Sequence, residues 1–245
     1  MKRYLLFGFS IFSYLFSIAT LSLLILWVYP WGFLPHYIDI GIDASVWYAV
    51  MFDVGLLLLF GLQHSLMARD FFKEKILAKF PHSFQTSLYG VASAICLYLL
   101  IYFWHPIDTL IWDFNDGFFF WFLTAIYLFG WFFAFISTFL IDHFELFGLH
   151  QGYRVFKSIP EPESCFQTKF FYKYVRHPVQ LGTLIGLWAT PSMSFGHLLM
   201  SIGFTVYAVI GLYLEEKSLV KTFGNEYRDY QEKVPFLIPF TKPHS

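Results

Sequence analysis

The stretch VQLGTLIGLWATPSMSFGHLLMSIGFTVYAVIGLYL, Val179 to Leu214, runs for 36 residues without an Asp, Glu, Lys or Arg. A membrane crossing takes about 20 apolar residues, so the stretch is too long for one helix and slightly short for two. Ala189-Thr190-Pro191-Ser192 interrupts it, and Pro191 forbids a continuous helix there. The reading is a tight helical hairpin of two short spans; a re-entrant pair that stops short of the far side is the alternative.

Four more apolar blocks precede it, near 5–29, 46–67, 87–104 and 117–141. Met1 to Tyr29 has Lys2 and Arg3 as its only charges and no small-residue cleavage site after it, so the first block reads as a true span rather than a signal peptide. Of 245 residues, 57% are apolar and 13% charged, against about 25% charged in soluble domains. The expected fold is therefore all-α: a polytopic transmembrane helix bundle of five to six spans, the last two a hairpin, with a cytosolic C-terminal amphipathic helix. It forms a single membrane domain over 1–245, a four-span part (1–141) followed by a site-bearing part (142–245).

All 16 basic residues fall in four segments: Lys2 and Arg3, Arg69 to Lys79, Arg154 to Arg176, and Lys217 to Lys242. Loops 30–45 and 105–116 and the turn at 190–195 hold none. With six crossings the four basic segments share one side, which the positive-inside rule makes cytosolic. Arg69 to Phe80 alternates basic and apolar faces at helical spacing, as a segment lying in the lipid interface does. The tail 215–233 has Leu219, Phe223 and Tyr227 on one helical face, and Pro235 and Pro239 end it.

A net charge of -1 without a basic stripe gives no footprint for nucleic acid. Cys96 and Cys165 have no zinc or redox spacing and imply no disulfide. The histidines show no ligand spacing on a common helix face, so no metal is expected, and nothing in the sequence fixes an oligomeric state.

Polar residues, most of them titratable, instead gather at the span ends on the basic side: Gln63 and His64, Asp142, His143 and Glu145, Arg176 and His177, Glu215 and Glu216. Charges at membrane depth are costly and usually functional, although interfacial residues also snorkel and anchor. Arg176 and His177 suit a carboxylate, and Glu215 with Glu216 suits an amino group and ribose hydroxyls. Gly182 permits close approach to the backbone, while Tyr227 and Tyr230 offer faces to adenine or a sulfonium. Asp53 and His197, both in the outer half of their spans, read as a structural pair across helices, a lumenal proton path being the alternative. The Phe residues of 118–135 read as lipid-facing surface.

Arg176-His177-Pro178 followed by Gly182, then Glu215-Glu216, then Phe223-Gly224-x-x-Tyr227-x-x-Tyr230 with Val234-Pro235, resembles the isoprenylcysteine carboxyl methyltransferase superfamily. That superfamily includes phospholipid N-methyltransferases and nitrite/nitric-oxide-linked membrane proteins. Three further strings, Phe60 to Arg69, Ile141 to Leu149 and Leu187 to Leu199, are most similar to the bacterial methanethiol S-methyltransferases and extend the resemblance over most of the chain. The resemblance implies S-adenosylmethionine as methyl donor, held by Tyr174, Arg176, His177, Pro178, Gln180, Leu181, Gly182, Glu215, Glu216, Tyr227 and Tyr230. It implies a small volatile thiol as acceptor, in a cytoplasmic membrane of bacterial type. Gln180 stands where the superfamily usually has Tyr, so no phenol contact carries over at that position.

A thiol is a weak nucleophile at its free pKa, and a base near it is expected. His64 or His143 is the expected base, oriented by Asp142 or Glu145. Gln63, Phe144, Phe147 and Trp188 are the expected pocket walls. Another acceptor (a phospholipid amine or a lipidated cysteine), a membrane reductase, and a non-catalytic protein of the same fold are the competing readings.

Overall fold

The structure is a computed structural model and describes residues 2–32, 34–162 and 166–241, which leaves Cys165 and Lys242 outside the described residues. Among these, nine α-helices and two short strands follow in order. They are α1 (Lys2–Trp27), α2 (Val46–Ala68), α3 (His82–Phe103), β1 (Leu110–Asp113), α4 (Gly117–Ile141), α5 (His143–Leu146) and α6 (Leu149–Lys157). Then come α7 (Pro178–Trp188), β2 (Ser192–Ser194), α8 (Phe195–Phe223) and α9 (Asn225–Lys233). Five of them, α1, α2, α3, α4 and α8, are long and apolar enough to cross a membrane. This is a polytopic helical membrane bundle. The Phe-rich α4 turns Phe118, Phe122, Phe129, Phe132 and Phe135 outward, as a helix in lipid does.

The helices form two compact units that interleave along the sequence: Met1–Thr109, His143–Pro162 and Ser194–Leu199 in one; Leu110–Asp142, Glu163–Met193 and Met200–Ser245 in the other. In the first, α1 packs on α3 and α6, and α2 packs on α3. Lipid tails are as apolar as Leu, so helices in a bilayer associate through close packing and hydrogen bonds. The α1–α3 seam is built that way. Ser10 Oγ lies 2.8 Å from Ser87 Oγ, and Ser13 Oγ donates to Ser87 O at 2.8 Å. A Cβ on Gly90 would stand 2.7 Å from Ser13 Oγ, so the seam closes only over a glycine.

In the second unit, α7 packs chiefly on α4. Gly182 and Gly186 of α7 face Gly130 and Ala134 of α4: a Cβ on Gly182 would lie 2.6 Å from Ala134 N, and one on Gly130 2.6 Å from Gly186 N. This is small-residue packing between backbones. The backbone that approaches Gly182 is thus that of α4.

The last two apolar segments are not two short spans. α7 has 11 residues and α8 has 29, or about 16 and 43 Å at 1.5 Å per residue. Pro178 opens α7 at its first position, where a missing amide costs nothing, and Pro191 prevents its continuation. The chain after α7 is extended, and its polar backbone is satisfied locally, as irregular chain at membrane depth requires. Trp112 Nε1 donates to Thr190 O at 3.0 Å, Phe114 N to Pro191 O at 2.9 Å, and Thr190 Oγ1 to Ser192 O at 2.7 Å. β1 and β2 pair into the two-stranded ribbon that receives this segment.

Three further expectations change. The segment 69–80 forms only one π-helical turn, Phe72–Ile76. The tail 215–233 is two helices: α8 continues through Glu215 and Glu216 to Phe223, and Gly224 at φ +60° breaks it before α9, a backbone conformation open to glycine at little steric cost. Asp53 pairs with His105 rather than His197: His105 N donates to Asp53 Oδ1 at 3.0 Å, and His105 Nδ1 lies 3.7 Å from the same oxygen. His197 N instead donates to Ser194 Oγ at 3.0 Å, and Ser194 Oγ donates to Asp39.

Candidate functional site

The break at Gly224 turns α9 back, so that Tyr227, Tyr230 and Val234 form a buried cluster with Phe166, Leu219, Val220 and Phe223. Beside it lies the densest polar cluster of the second unit. Glu216 Oε1 accepts from Arg176 Nε at 2.6 Å and Tyr227 OH at 3.3 Å, and lies 3.0 Å from His177 Nε2. Glu216 Oε2 accepts from Arg176 Nη2 at 3.2 Å and Gln231 Nε2 at 2.8 Å. The guanidinium donates its remaining reach to the carbonyls of Gln231 and Val234, at 2.8 and 2.9 Å, with Phe236 beneath it at 5.5 Å. Arg176 N also donates to Pro235 O at 2.9 Å.

Arg176 and Glu216 are 4% and 7% exposed, so the pair is satisfied from inside. An ion pair at this burial is tolerable only because its lone pairs and protons are engaged. Its geometric effect is to tie the start of α7, the end of α8, α9 and the segment after it to one carboxylate. Tyr230 OH donates to Tyr172 O at 2.5 Å and extends the tie. Burial raises the phenols of Tyr172, Tyr227 and Tyr230 above their ordinary range, Glu216 adding to the rise at Tyr227 and Tyr230 and Arg176 opposing it. All three act as neutral donors.

Glu215 and Glu216 therefore part company. Consecutive helix residues point about 100° apart: Glu216 enters the cluster and Glu215 is exposed. Tyr174, at 60% exposure, is also reachable, and Gln180 and Leu181 are half-buried. Pro178 is buried at the helix start, and Gly182 is closed off by α4.

The first unit holds a cavity of about 250 Å³, lined from α1, α2, α3 and the α5 region. Leu21, Phe60, Ala94, Leu97, Leu146 and Phe147 make its apolar wall; His64, Tyr89 and Ser93 make its polar end. Tyr89 and Ser93 are one turn apart on α3 and so share a face. Tyr89 OH lies 2.5 Å from His64 Nε2, and Ser93 Oγ lies 3.0 Å from His64 Nδ1. Gln63 Nε2 donates to Ser93 Oγ at 3.4 Å and to Met67 Sδ at 3.1 Å, which places it behind this end rather than in the wall.

Of the other expected site residues, Phe147 lines the cavity but Phe144 does not; Phe144 is exposed and packs on Tyr14 and His143. His143 is buried, with Nε2 3.0 Å from Tyr14 OH. Glu145 forms a bidentate pair with Arg154, both bonds 2.7 Å, and its Oε2 lies 4.0 Å from His150 Nδ1. Asp142 caps the end of α4. Trp188 belongs to the second unit, where its Nε1 donates to Thr205 Oγ1 at 3.0 Å. Tyr89 and Ser93 are the residues that sequence reasoning missed. Their signal was a hydroxyl pair at i and i+4 inside an apolar helix, polar groups with no interfacial excuse.

A family model described as NnrU protein matches residues 53–238, which include the polar end of the cavity and the Glu216 cluster. A protein named methanethiol S-methyltransferase 2 from Bradyrhizobium diazoefficiens is 40% identical over 86% of this chain and 83% of its own length. The methanethiol S-methyltransferase of Mycobacterium tuberculosis is 38% identical over 100% of both chains, and that of Pseudomonas deceptionensis 40% over 84% and 78%. No solved structure matches the chain. The chain belongs to the NnrU family.

Proposed function

We propose that this protein is an integral membrane methyltransferase that moves the methyl group of S-adenosylmethionine to methanethiol, giving dimethyl sulfide and S-adenosylhomocysteine. The observation that carries the reading is similarity near 40% over more than four fifths of the chain to relatives bearing that name.

When bound, S-adenosylmethionine supplies an electrophilic methyl on a cationic sulfur. The reachable groups suit such a ligand: the exposed carboxylate of Glu215 for its positive charge, the Tyr174 ring for a cation or adenine face, and the Gln180 amide as a hydrogen-bonding partner. In this reading Arg176, His177, Glu216, Tyr227 and Tyr230 are chiefly positioning residues: they lock α7, α8 and α9 so that the reachable groups stay in register. The transfer is an in-line displacement, which asks the protein for alignment and for little water. The basic segments and both termini face the cytosol in this proposal. Membrane-impermeant thiol labelling of the single variants Asp43→Cys and Lys79→Cys in intact cells tests it: Asp43→Cys is labelled and Lys79→Cys is not.

The deciding experiment incubates the purified protein with S-adenosylmethionine and methanethiol and follows dimethyl sulfide in the headspace. Product that falls at least tenfold in Glu215→Ala supports the reading. Binding of S-adenosylmethionine without product moves the acceptor to a lipid amine or another thiol, and loss of both sinks the methyltransferase reading.

A further inference from the structure

The cavity in the first unit is larger than methanethiol needs. An apolar protein cavity of about 150 Å³ holds benzene, and this one measures about 250 Å³. Its lining is mostly apolar, with Ser17 and Thr86 among the wall residues, and its polar end carries a histidine engaged at both nitrogens by hydroxyls. An apolar hole with one oriented proton-transfer group suits a small apolar molecule with a single acidic hydrogen.

We propose that this cavity binds small apolar thiols up to about the size of benzenethiol, with their sulfur against the Tyr89 hydroxyl, and that Tyr89 relays the thiol proton to His64. The inference rests on the methyl-transfer reading and names the pocket, the acceptor range and the proton path for it.

The His64 contacts admit either ring tautomer, and the relay uses the one with the proton on Nδ1. In it, Ser93 Oγ, 3.0 Å from His64 Nδ1 and 3.4 Å from Gln63 Nε2, accepts Nδ1–H through one of its two lone pairs. With its ring proton on Nδ1, His64 presents Nε2 as an acceptor, 2.5 Å from the Tyr89 oxygen. In this tautomer Tyr89, a residue of the cavity lining, donates to His64 and links the ring to the thiol. As the thiol S–H breaks, its proton passes to the Tyr89 oxygen, the Tyr89 proton passes to His64 Nε2, and the electron pair stays on the thiol sulfur. The thiolate forms a bond to the donor methyl, and the pair of the broken carbon–sulfur bond returns to the donor sulfur. His64 leaves the turnover as an imidazolium and releases one proton to water, which balances the reaction.

Two kinds of variant test the proposal in the full chain in lipid nanodiscs. Ala94→Phe fills the cavity and Leu97→Ala widens it. The ratio of kcat/KM for benzenethiol over methanethiol is expected to fall at least tenfold in the first and to rise at least threefold in the second. Opposite shifts cannot come from misfolding. Tyr89→Phe is expected to lower kcat about a hundredfold, the scale of a lost general acid–base step, with binding of S-adenosylmethionine unchanged. Radiolabelled benzenethiol is added without the methyl donor, against empty nanodiscs, as a readout independent of turnover. Saturable binding that Ala94→Phe abolishes assigns the pocket even if no dimethyl sulfide is formed, in which case the transfer reading alone falls. Unchanged thiol ratios in both cavity variants overturn the pocket, and a Tyr89→Phe rate within threefold of wild type overturns the relay.

Discussion

The Glu216 cluster and the His64 cavity both gather polar groups from distant segments at helix ends, and they use them in opposite ways. In the cluster, a full positive and a full negative charge meet at 2.6 Å, and the carboxylate is taken up by Arg176, His177, Tyr227 and Gln231. In the cavity, a histidine is held by two hydroxyls beside about 250 Å³ of space. The first arrangement is expensive to disturb and leaves little to offer a ligand. The second sets a neutral histidine and two hydroxyls beside open space. A satisfied pair of full charges marks a tie, and a neutral hydrogen-bonded group beside open space marks a site.

The sharpest way to break this contrast is to cut the tie. Glu216→Ala leaves the Arg176 guanidinium buried without its carboxylate, a loss of about 3–5 kcal/mol. The variant is expected to lose folded yield and the cooperative melt expected of wild type in detergent, and α9 to become sensitive to limited proteolysis. A variant that melts like wild type would show that the tie is not structural and that the charge pair serves a ligand instead.

Next is the seam that carries α7. Gly182→Val places a side chain where Ala134 N stands 2.6 Å from the new Cβ, and overpacking of this kind costs about 1–3 kcal/mol. Thermal stability is expected to fall while residual activity per folded molecule stays measurable. If instead the melt is unchanged and only binding of S-adenosylmethionine weakens, Gly182 faces the cofactor.

On the other side of the comparison, Ser93→Ala removes the hydroxyl that lies 3.0 Å from His64 Nδ1. Here the rate should move more than the stability: kcat down about threefold to tenfold through loss of the tautomer the relay uses, with the fold weakened by no more than about 1 kcal/mol. Ser93→Thr, which keeps the hydroxyl, is expected to restore the rate.

The spans were legible because 20-residue apolar blocks have one solution in a bilayer, and α4 begins and ends where its composition says. The hairpin was legible as a break at Pro191 but not in its asymmetry. Nothing in a charge-free run tells a short helix from a longer one when glycines at 182 and 186 fit either. That α7 leans on α4 depends on Gly130 and Ala134, about 50 residues away. At the site, motif residues were found by type, while their partition was not: Glu215 and Glu216 are equivalent in the sequence and separate only when α9 folds back at Gly224. Asp53 meets a different histidine from the expected one for a similar reason. His105 approaches it through a backbone amide, a donor that every residue but proline has.

The smallest expected effect concerns Asp39, in the loop between α1 and α2. Burial raises its carboxyl from 3.8 to about 6, the Ser194 hydroxyl opposing the rise and Asp108 adding to it. A folded-state pKa above the unfolded one means that the folded chain binds the extra proton between those values, so this residue's contribution to stability is greatest below about 4. It declines as pH rises and is fully lost above about 6. Asp39→Asn keeps an acceptor for Ser194 and removes the titration. Its melting temperature relative to wild type is expected to rise between about pH 4 and pH 7. A difference that is flat across this range would mean that Asp39 is solvated in the folded protein and that the Ser194 latch carries no charge dependence.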